Sequence, residues 1–116
     1  MGPKEIASYV PRMDRPALDD ALTDREAVLR AFVLPDGRLS AIPTRIRKRL
    51  VVLNEMAQAF EIGQTYDEAQ VNNSLRAWHD DVAALRRYLV EEGFLERRDG
   101  RYWRAGGTIE GPAATS

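Results

Sequence analysis

The sequence contains no cysteine and only one histidine, His79, among its 116 residues. A chain without cysteine has no disulfide framework, no thiolate metal site and no cysteine nucleophile. One histidine is too few for a zinc site built from histidines alone. Apolar runs are short, and none approaches the ~18 residues that a transmembrane helix needs. The first ten residues also lack the apolar core of a secretory signal. We therefore expect a cytoplasmic protein with no membrane partner, no metal and no other cofactor.

Charge of one sign is not in excess either. Lys+Arg 17 and Asp+Glu 18 give a formal net charge of -1. The chain thus lacks the overall basicity that is typical of nucleic-acid-binding domains, so a DNA-binding role would depend on local clusters of cations. The hydrophobic fraction of 44% and the length predict one domain with one modest core.

The first half of the chain predicts two helices. Thr23 can cap the first helix together with Glu26, three residues later. This helix ends before Pro35-Asp36-Gly37, a sequence that is typical of turns. The longest helix is predicted over residues 43–60, where apolar residues recur at three- and four-residue steps, and Gly63 follows its end.

The second half predicts two shorter helices and a β-hairpin after a single short strand. Asp67 and Gln70 form a capping pair for the first of these helices, and Asp80 or Asp81 caps the second. Asp99-Gly100 separates two strand-like segments, which is the strongest short-range indication of a hairpin.

This order of elements predicts a mainly α protein with a small β-hairpin: a winged helix-turn-helix with an extra N-terminal helix. We divide the chain into an N-terminal arm (1–22), a winged-helix domain with its leading helix (23–104) and a disordered tail (105–116). The tail is assigned from its content of Gly, Thr, Pro, Ala and Ser. Fold class does not by itself give function.

In a winged helix that binds DNA, the third helix enters the major groove and the hairpin contacts the backbone. With Leu85 and Leu89 facing the core, helical geometry turns Ala84, Arg87 and Tyr88 outward. Three acidic residues flank this surface and would repel phosphates: Asp80, Asp81 and Glu91.

Two clusters of cations are the candidate contacts to DNA. The hairpin cluster surrounds a single acid, Asp99, and contains Arg97, Arg98, Arg101 and Arg104. The second cluster, Arg45, Arg47, Lys48 and Arg49, lies in the first turns of the longest helix. Cations are disfavoured there by the helix macrodipole, so an anion or an internal acid should offset them. We hypothesise that the two clusters converge in space on one polyanion.

The predicted site residues divide into two roles. We expect Arg87 and Tyr88 to contact the edges of the bases. We expect contacts to phosphate groups from Arg97, Arg98, Arg101, Arg45, Arg47 and Lys48. Two interpretations of Tyr102 and Trp103 stay open, because the rings can form a platform under the arginines or seal the hairpin onto the core.

The segment Trp78-His79-Asp80-Asp81 raises the question of catalysis. Helix capping explains Asp80 or Asp81, and the spacing supplies no third metal ligand. The sequence also lacks a glycine-rich phosphate loop, a nucleophile elbow and catalytic carboxylates at a recognisable spacing. We expect that the protein is not an enzyme.

Several short motifs carry a resemblance to a known family. They are Asp36-Gly37-Arg38-Leu39, Ile42-Pro43, Arg47-Lys48-Arg49, Val71-Asn72, Asp80-Asp81-Val82-Ala83, Leu85-Arg86-Arg87, Gly93-Phe94-Leu95-Glu96-Arg97 and Gly100-Arg101-Tyr102-Trp103. Together they resemble an uncharacterised prokaryotic domain that is found alone or at the C-terminus of ArsR-like transcriptional regulators. The resemblance implies a winged-helix fold and a bacterial setting.

These observations lead to two functional hypotheses. The first is a bacterial transcriptional regulator whose winged helix binds double-stranded DNA. The alternative is a winged-helix protein-interaction or sensor module that self-associates, for example as a homodimer, and does not bind DNA. The balanced charge and the acids beside the third helix favour the alternative.

Overall fold

The computed structural model describes residues 15–109 of the chain, with side chains from residue 17 onward. This part is mixed α/β and contains five helices and a small three-stranded antiparallel sheet. The helices are α1 (Arg15–Leu22), α2 (Arg25–Phe32), α3 (Ile46–Ala57), α4 (Glu68–Arg76) and α5 (Val82–Glu91). The strands are β1 (Thr65–Asp67), β2 (Leu95–Arg98) and β3 (Arg101–Arg104). Within residues 15–109, no helix combines the length and the apolar character needed to cross a bilayer.

The core is built around α3, which packs against α1, α2 and α5. Val51, Val52 and Leu53 are all fully buried, so neighbours surround this helix on more than one side. The apolar stripe is shorter than the sequence predicts, because Ile46 is 46% exposed. The helix is also shorter than residues 43–60 and ends at Ala57.

The sheet places β3 in the centre, in the order β1-β3-β2. Tyr66 on β1 and Arg97 on β2 are both register partners of Tyr102. Asp99 and Gly100 have φ angles of 53° and 79°, and two positive φ values are what a tight two-residue hairpin turn requires. The predicted hairpin is confirmed, and β1 is the single short strand that was expected before α4.

The N-terminal boundary differs from the prediction. Residues 15–22 form α1, whose Leu18 and Ala21 are 4% and 0% exposed and belong to the core. These residues are therefore part of the folded unit and not of an arm, and residues 1–14 lie outside the described residues. The capping prediction for Thr23 is wrong, since its hydroxyl donates to the carbonyl of Asp20 and Asp24 occupies the N-cap of α2.

The C-terminal boundary also differs, because residues 104–109 form an ordered segment that we call the C-terminal clasp. Asn54, 1% exposed, donates from its amide to the Thr108 hydroxyl at 3.0 Å and accepts from the Thr108 backbone N–H at 2.9 Å. Gly107 has a φ of 94°, and a Cβ there would lie 2.9 Å from the Asn54 amide oxygen. The prediction of a disordered tail is thus wrong for residues 105–109, and residues 110–116 lie outside the described part.

Local capping in the second half of the fold follows the sequence. Asp67 and Gln70 form a reciprocal capping box at the start of α4, and Asp81 accepts from the Ala84 backbone N–H at 3.1 Å. Leu85 and Leu89 are fully buried, as predicted. Ala84 is 9% exposed and faces inward, so its predicted outward orientation is wrong.

Candidate functional site

The orientation of α5 is fixed by the loop that follows α2. The Arg38 guanidinium donates to the Arg76 carbonyl at 2.8 Å and to the Asp80 carboxylate at 2.7 Å. The Leu39 backbone N–H donates to the Trp78 carbonyl at 2.8 Å. These bonds tie the loop to the corner between α4 and α5, so Arg38 positions that corner and is not an unpaired cation.

A groove of about 330 Å³ separates α5 from the hairpin, and we call it the α5–hairpin groove. It is lined by Ala83, Arg86, Arg87, Val90 and Glu91 of α5 and by Arg97 and Tyr102 of the hairpin. Three guanidinium groups therefore meet one carboxylate along the described lining. The groove is open and electropositive, which suits an extended anion better than a neutral ligand.

Arg87 and Arg97 are the exposed cations of this groove. The side chain of Arg87 is 56% exposed, and its Nε lies 3.8 Å from the Glu91 carboxylate, one turn away on the same helix. The Arg97 guanidinium lies 5.7 Å from the centre of the Tyr102 ring. An exposed pair within one helix contributes only about 0.3–0.5 kcal/mol, so Arg87 can exchange Glu91 for an external anion.

Arg86 is the third cation of the groove, and the sequence analysis did not assign it to the site. Its guanidinium donates to the Asn72 side-chain oxygen at 2.5 Å and lies 3.7 Å from Glu68. The side chain is 21% exposed. Helical geometry places Arg86 at the margin of the buried stripe of Leu85 and Leu89, but this position does not show that α4 supplies its partners.

Tyr88 is half-buried and lies between two arginines. The Arg49 guanidinium of α3 is 4.3 Å from the centre of its ring, and the Arg87 guanidinium is 5.0 Å from it. Cation–π contacts of this kind favour a fixed ring orientation. Tyr88 therefore supports Arg87 from the side of α3, while Arg87 itself reaches the groove.

Tyr102 settles the open question about the aromatic pair. Its side chain is 1% exposed and belongs to the core, while it also forms a wall of the groove. Trp103 is half-buried. The ring of Tyr102 thus has both of the roles that the sequence left open. It joins the hairpin to the core, and it lies under the Arg97 guanidinium.

The cations of α3 do not join this groove. Arg47 donates to the Asp20 carboxylate and carbonyl, to the Thr23 hydroxyl and to Asp24. The hydrogen bonds that Arg47 donates to Asp20 and then to Asp24 raise the pKa of Arg47 above its ordinary value, so this group stays charged and paired. Arg47 and Lys48 line a separate cleft beside α1 and α2. The predicted convergence of the two basic clusters is therefore wrong for these residues.

The remaining predicted contacts are spread over the surface. Arg45 is exposed and is the N-cap residue of α3, with no side-chain capping bond. Arg98, with an 82% exposed side chain, lies beside Asp99 at 3.9 Å near the hairpin tip. Arg101 donates to the Thr65 hydroxyl of β1 at 3.1 Å. Arg104 is 9% exposed, so it belongs to the interior and not to the basic face of the hairpin.

His79 has a local structural role. Its Nδ1 accepts a hydrogen bond from the Asp81 backbone N–H at 3.0 Å. This contact shapes the start of α5, where Asp81 is the N-cap residue.

Comparison with known proteins gives a single assignment. No curated protein and no solved structure matches the chain. Residues 38–104 match a family described as an uncharacterized protein conserved in bacteria (DUF2087). The match begins at the corner-binding Arg38, contains the α5–hairpin groove and ends at the buried Arg104. Because it covers more than half of the sequence, the chain belongs to the DUF2087 family.

Proposed function

We propose that this protein is a winged-helix transcriptional regulator that binds double-stranded DNA through the α5–hairpin groove. The observation that carries the proposal is the juxtaposition of Arg86, Arg87 and Arg97 along one groove between a helix and a hairpin. Duplex DNA is a linear polyanion, and arginines supply most of the contacts that hold proteins on its backbone.

The topology supports a winged-helix interpretation. The elements from α3 onward follow the order helix, strand, helix, helix and hairpin, and β1 pairs with β3 of the hairpin. In such an arrangement α5 occupies the position of the helix that enters the major groove. The bonds of Arg38 and Leu39 to the preceding corner give α5 a defined orientation.

The charges divide the roles of the arginines. Arg87 is exposed on α5 and has the forked geometry that reads guanine in the major groove. Arg97 and the tip residue Arg98 lie on the hairpin, where contacts to phosphate oxygens are expected. Arg86 is bound to Asn72 and Glu68, so we assign it a supporting electrostatic role.

Fluorescence polarisation with labelled duplex DNA tests the proposal at two salt concentrations. We expect binding that weakens as salt rises. Arg87→Ala and Arg97→Ala should each lower affinity and reduce the salt slope by about one. Arg30→Ala is the matched control, because the Arg30 side chain is 74% exposed on α2. This substitution removes the same charge at a position away from the groove. Equal losses in all three variants, or no binding at low salt, would rule out the groove as a DNA site.

A self-associating protein-interaction module is the second candidate function. The observation that favours it is the internal pairing of Arg38 with Asp80 and of Arg47 with Asp20 and Asp24. These pairs withdraw two cations from any external polyanion. Light scattering with and without duplex DNA separates the candidates: a stable dimer whose mass is unchanged by DNA supports the module, and a mass increase with DNA supports the regulator.

A further inference from the structure

A second concave surface lies away from the α5–hairpin groove, between α1, α2 and the start of α3. We call it the α1–α3 cleft, and its volume is about 210 Å³. Its walls are mainly apolar and are formed by Ala21, Ala27, Val28, Ala31 and Phe32, and the paired side chains of Asp24 and Arg47 also line it. Lys48 of α3 lies at its edge.

The size of the cleft matches a single aromatic ring with a small substituent. An apolar cavity of about 150 Å³ is known to accept benzene. The cleft is somewhat larger, and Ala27 and Ala31 on α2 are exposed with short side chains. An aromatic ring could therefore pack against them and against Phe32, which is half-buried.

The charge at the edge favours an anion. The Lys48 ammonium lies 6.0 Å from the centre of the Phe32 ring. Within the described part of the chain, no carboxylate lies within ion-pair distance of this ammonium. Arg47 pairs with Asp20 of α1 and with Asp24, the N-cap residue of α2, so the Asp24 carboxylate that lines the cleft already has a cationic partner. A ligand whose ring stacks on Phe32 would thus place its carboxylate close to the Lys48 ammonium group.

We propose that the α1–α3 cleft binds a small aromatic carboxylate, with the ring against Ala31 and Phe32 and the carboxylate on Lys48. This site does not depend on the proposed DNA-binding function, because none of its residues lines the α5–hairpin groove. The occupant is defined by chemistry: one flat apolar ring and one negative charge.

Fluorine NMR with 4-fluorobenzoate tests the proposal on the full chain. We expect saturable binding to the wild type. Ala31→Leu fills the cleft from an exposed helical position and should weaken binding by roughly tenfold or more. Ala69→Leu is its matched control, because Ala69 is also exposed on a helix and does not line the cleft.

A second pair of variants tests the charge. Lys48→Gln should weaken binding of 4-fluorobenzoate by about two- to fivefold, the range for one exposed ion pair. Arg45→Gln, which removes a neighbouring exposed charge outside the cleft, should have no effect. Neutral 4-fluorobenzyl alcohol should bind the wild type more weakly than 4-fluorobenzoate does. The two ligands should bind the Lys48→Gln variant with equal affinity.

Three results would overturn the proposal. The first is the absence of saturable binding to the full chain, which would mean that a second copy or another segment covers the cleft; light scattering identifies the second copy. The second is equal binding to Ala31→Leu and Ala69→Leu. The third is equal binding of the acid and the alcohol to the wild type. A melting curve for each variant confirms that the comparison is made on folded protein.

Discussion

At the scale of single residues, the most consequential side chain in this fold is a buried arginine. Arg104 donates to the carbonyls of Ala57, Phe60, Gly106 and Thr108 at 2.5–3.1 Å. The first two carbonyls lie at the end of α3 and just after it, where helix geometry leaves acceptors without partners. The Arg104 guanidinium therefore caps the C-terminal end of α3 and also binds the carbonyls of the C-terminal clasp.

Replacing this arginine should be strongly destabilising. In Arg104→Met the carbonyls of Ala57 and Phe60 lose their donor inside the protein. We expect the free energy of unfolding to fall by about 3 kcal/mol. Urea denaturation followed by circular dichroism measures the change.

Arg101→Met serves as the control, because Arg101 lies on the same strand and is exposed. Its loss should change the free energy of unfolding by less than about 1 kcal/mol. If the two variants unfold at the same urea concentration, the carbonyl-binding role of Arg104 is refuted.

The site could be predicted only in part at this scale, because a sequence gives the cations but not their partners. Arg87 and Arg97, two of the predicted contacts, line one groove. Arg47 is paired with Asp20 of α1 and with Asp24 at the start of α2, and both acids lie more than twenty residues earlier in the chain. Nothing in the local pattern around Arg47 identifies those acids, so three-dimensional packing decides which arginines are available.

At the scale of elements, short-range chemistry was sufficient in most places where both partners lie within a few residues. The capping box of Asp67 and Gln70 and the Asp99-Gly100 turn are such cases, and both were predicted. The prediction at Thr23 failed although the spacing was correct, because Thr23 bonds to Asp20 of the preceding helix. A competing short-range partner on the N-terminal side, the carbonyl of Asp20, therefore displaced the predicted capping pair.

The corner between α4 and α5 offers a test at the same scale. Arg38→Ala removes the bonds to the Arg76 carbonyl and to Asp80. We expect the backbone amides of the corner, and of Leu39 bound to it, to exchange with solvent about tenfold faster. Hydrogen–deuterium exchange followed by mass spectrometry measures this on peptides that cover residues 36–42 and 77–81.

Arg76→Ala provides the comparison, because its guanidinium bonds to Asn73 within the same helix. That variant should leave exchange at the corner close to the wild type. Unchanged protection in Arg38→Ala would mean that the corner is held by apolar packing alone.

At the scale of the whole molecule, the folded unit is larger than the segment that matches the family. The family match covers residues 38–104, whereas α1, α2 and the rest of the clasp also contribute to the structure. Composition misled the sequence analysis at both ends. The N-terminal segment was assigned to an arm and the C-terminal segment to a disordered tail, yet Leu18 and Thr108 make long-range contacts that composition does not reveal.

The contribution of α1 is measurable by one substitution. Leu18 is 4% exposed, so Leu18→Ala should lower the free energy of unfolding by about 2–4 kcal/mol. Urea unfolding monitored by tryptophan fluorescence and by circular dichroism should give coincident transitions if residues 15–109 unfold as one unit.

Leu34→Ala is the matched substitution, because Leu34 is 43% exposed and loses the same atoms. Its effect should stay below about 1 kcal/mol. Equal effects of the two substitutions would place α1 outside the cooperative core.

The C-terminal clasp also has a consequence for how the protein is made. Thr108 leaves the ribosome 54 residues after Asn54, the buried amide that it satisfies. At ordinary rates of synthesis this gap lasts about 3 to 10 s. During that interval the residues that close over the Asn54 amide are not yet synthesised, so this amide has no Thr108 partner. Slow codons between those for Asn54 and Thr108 would lengthen this interval, and fast ones would shorten it.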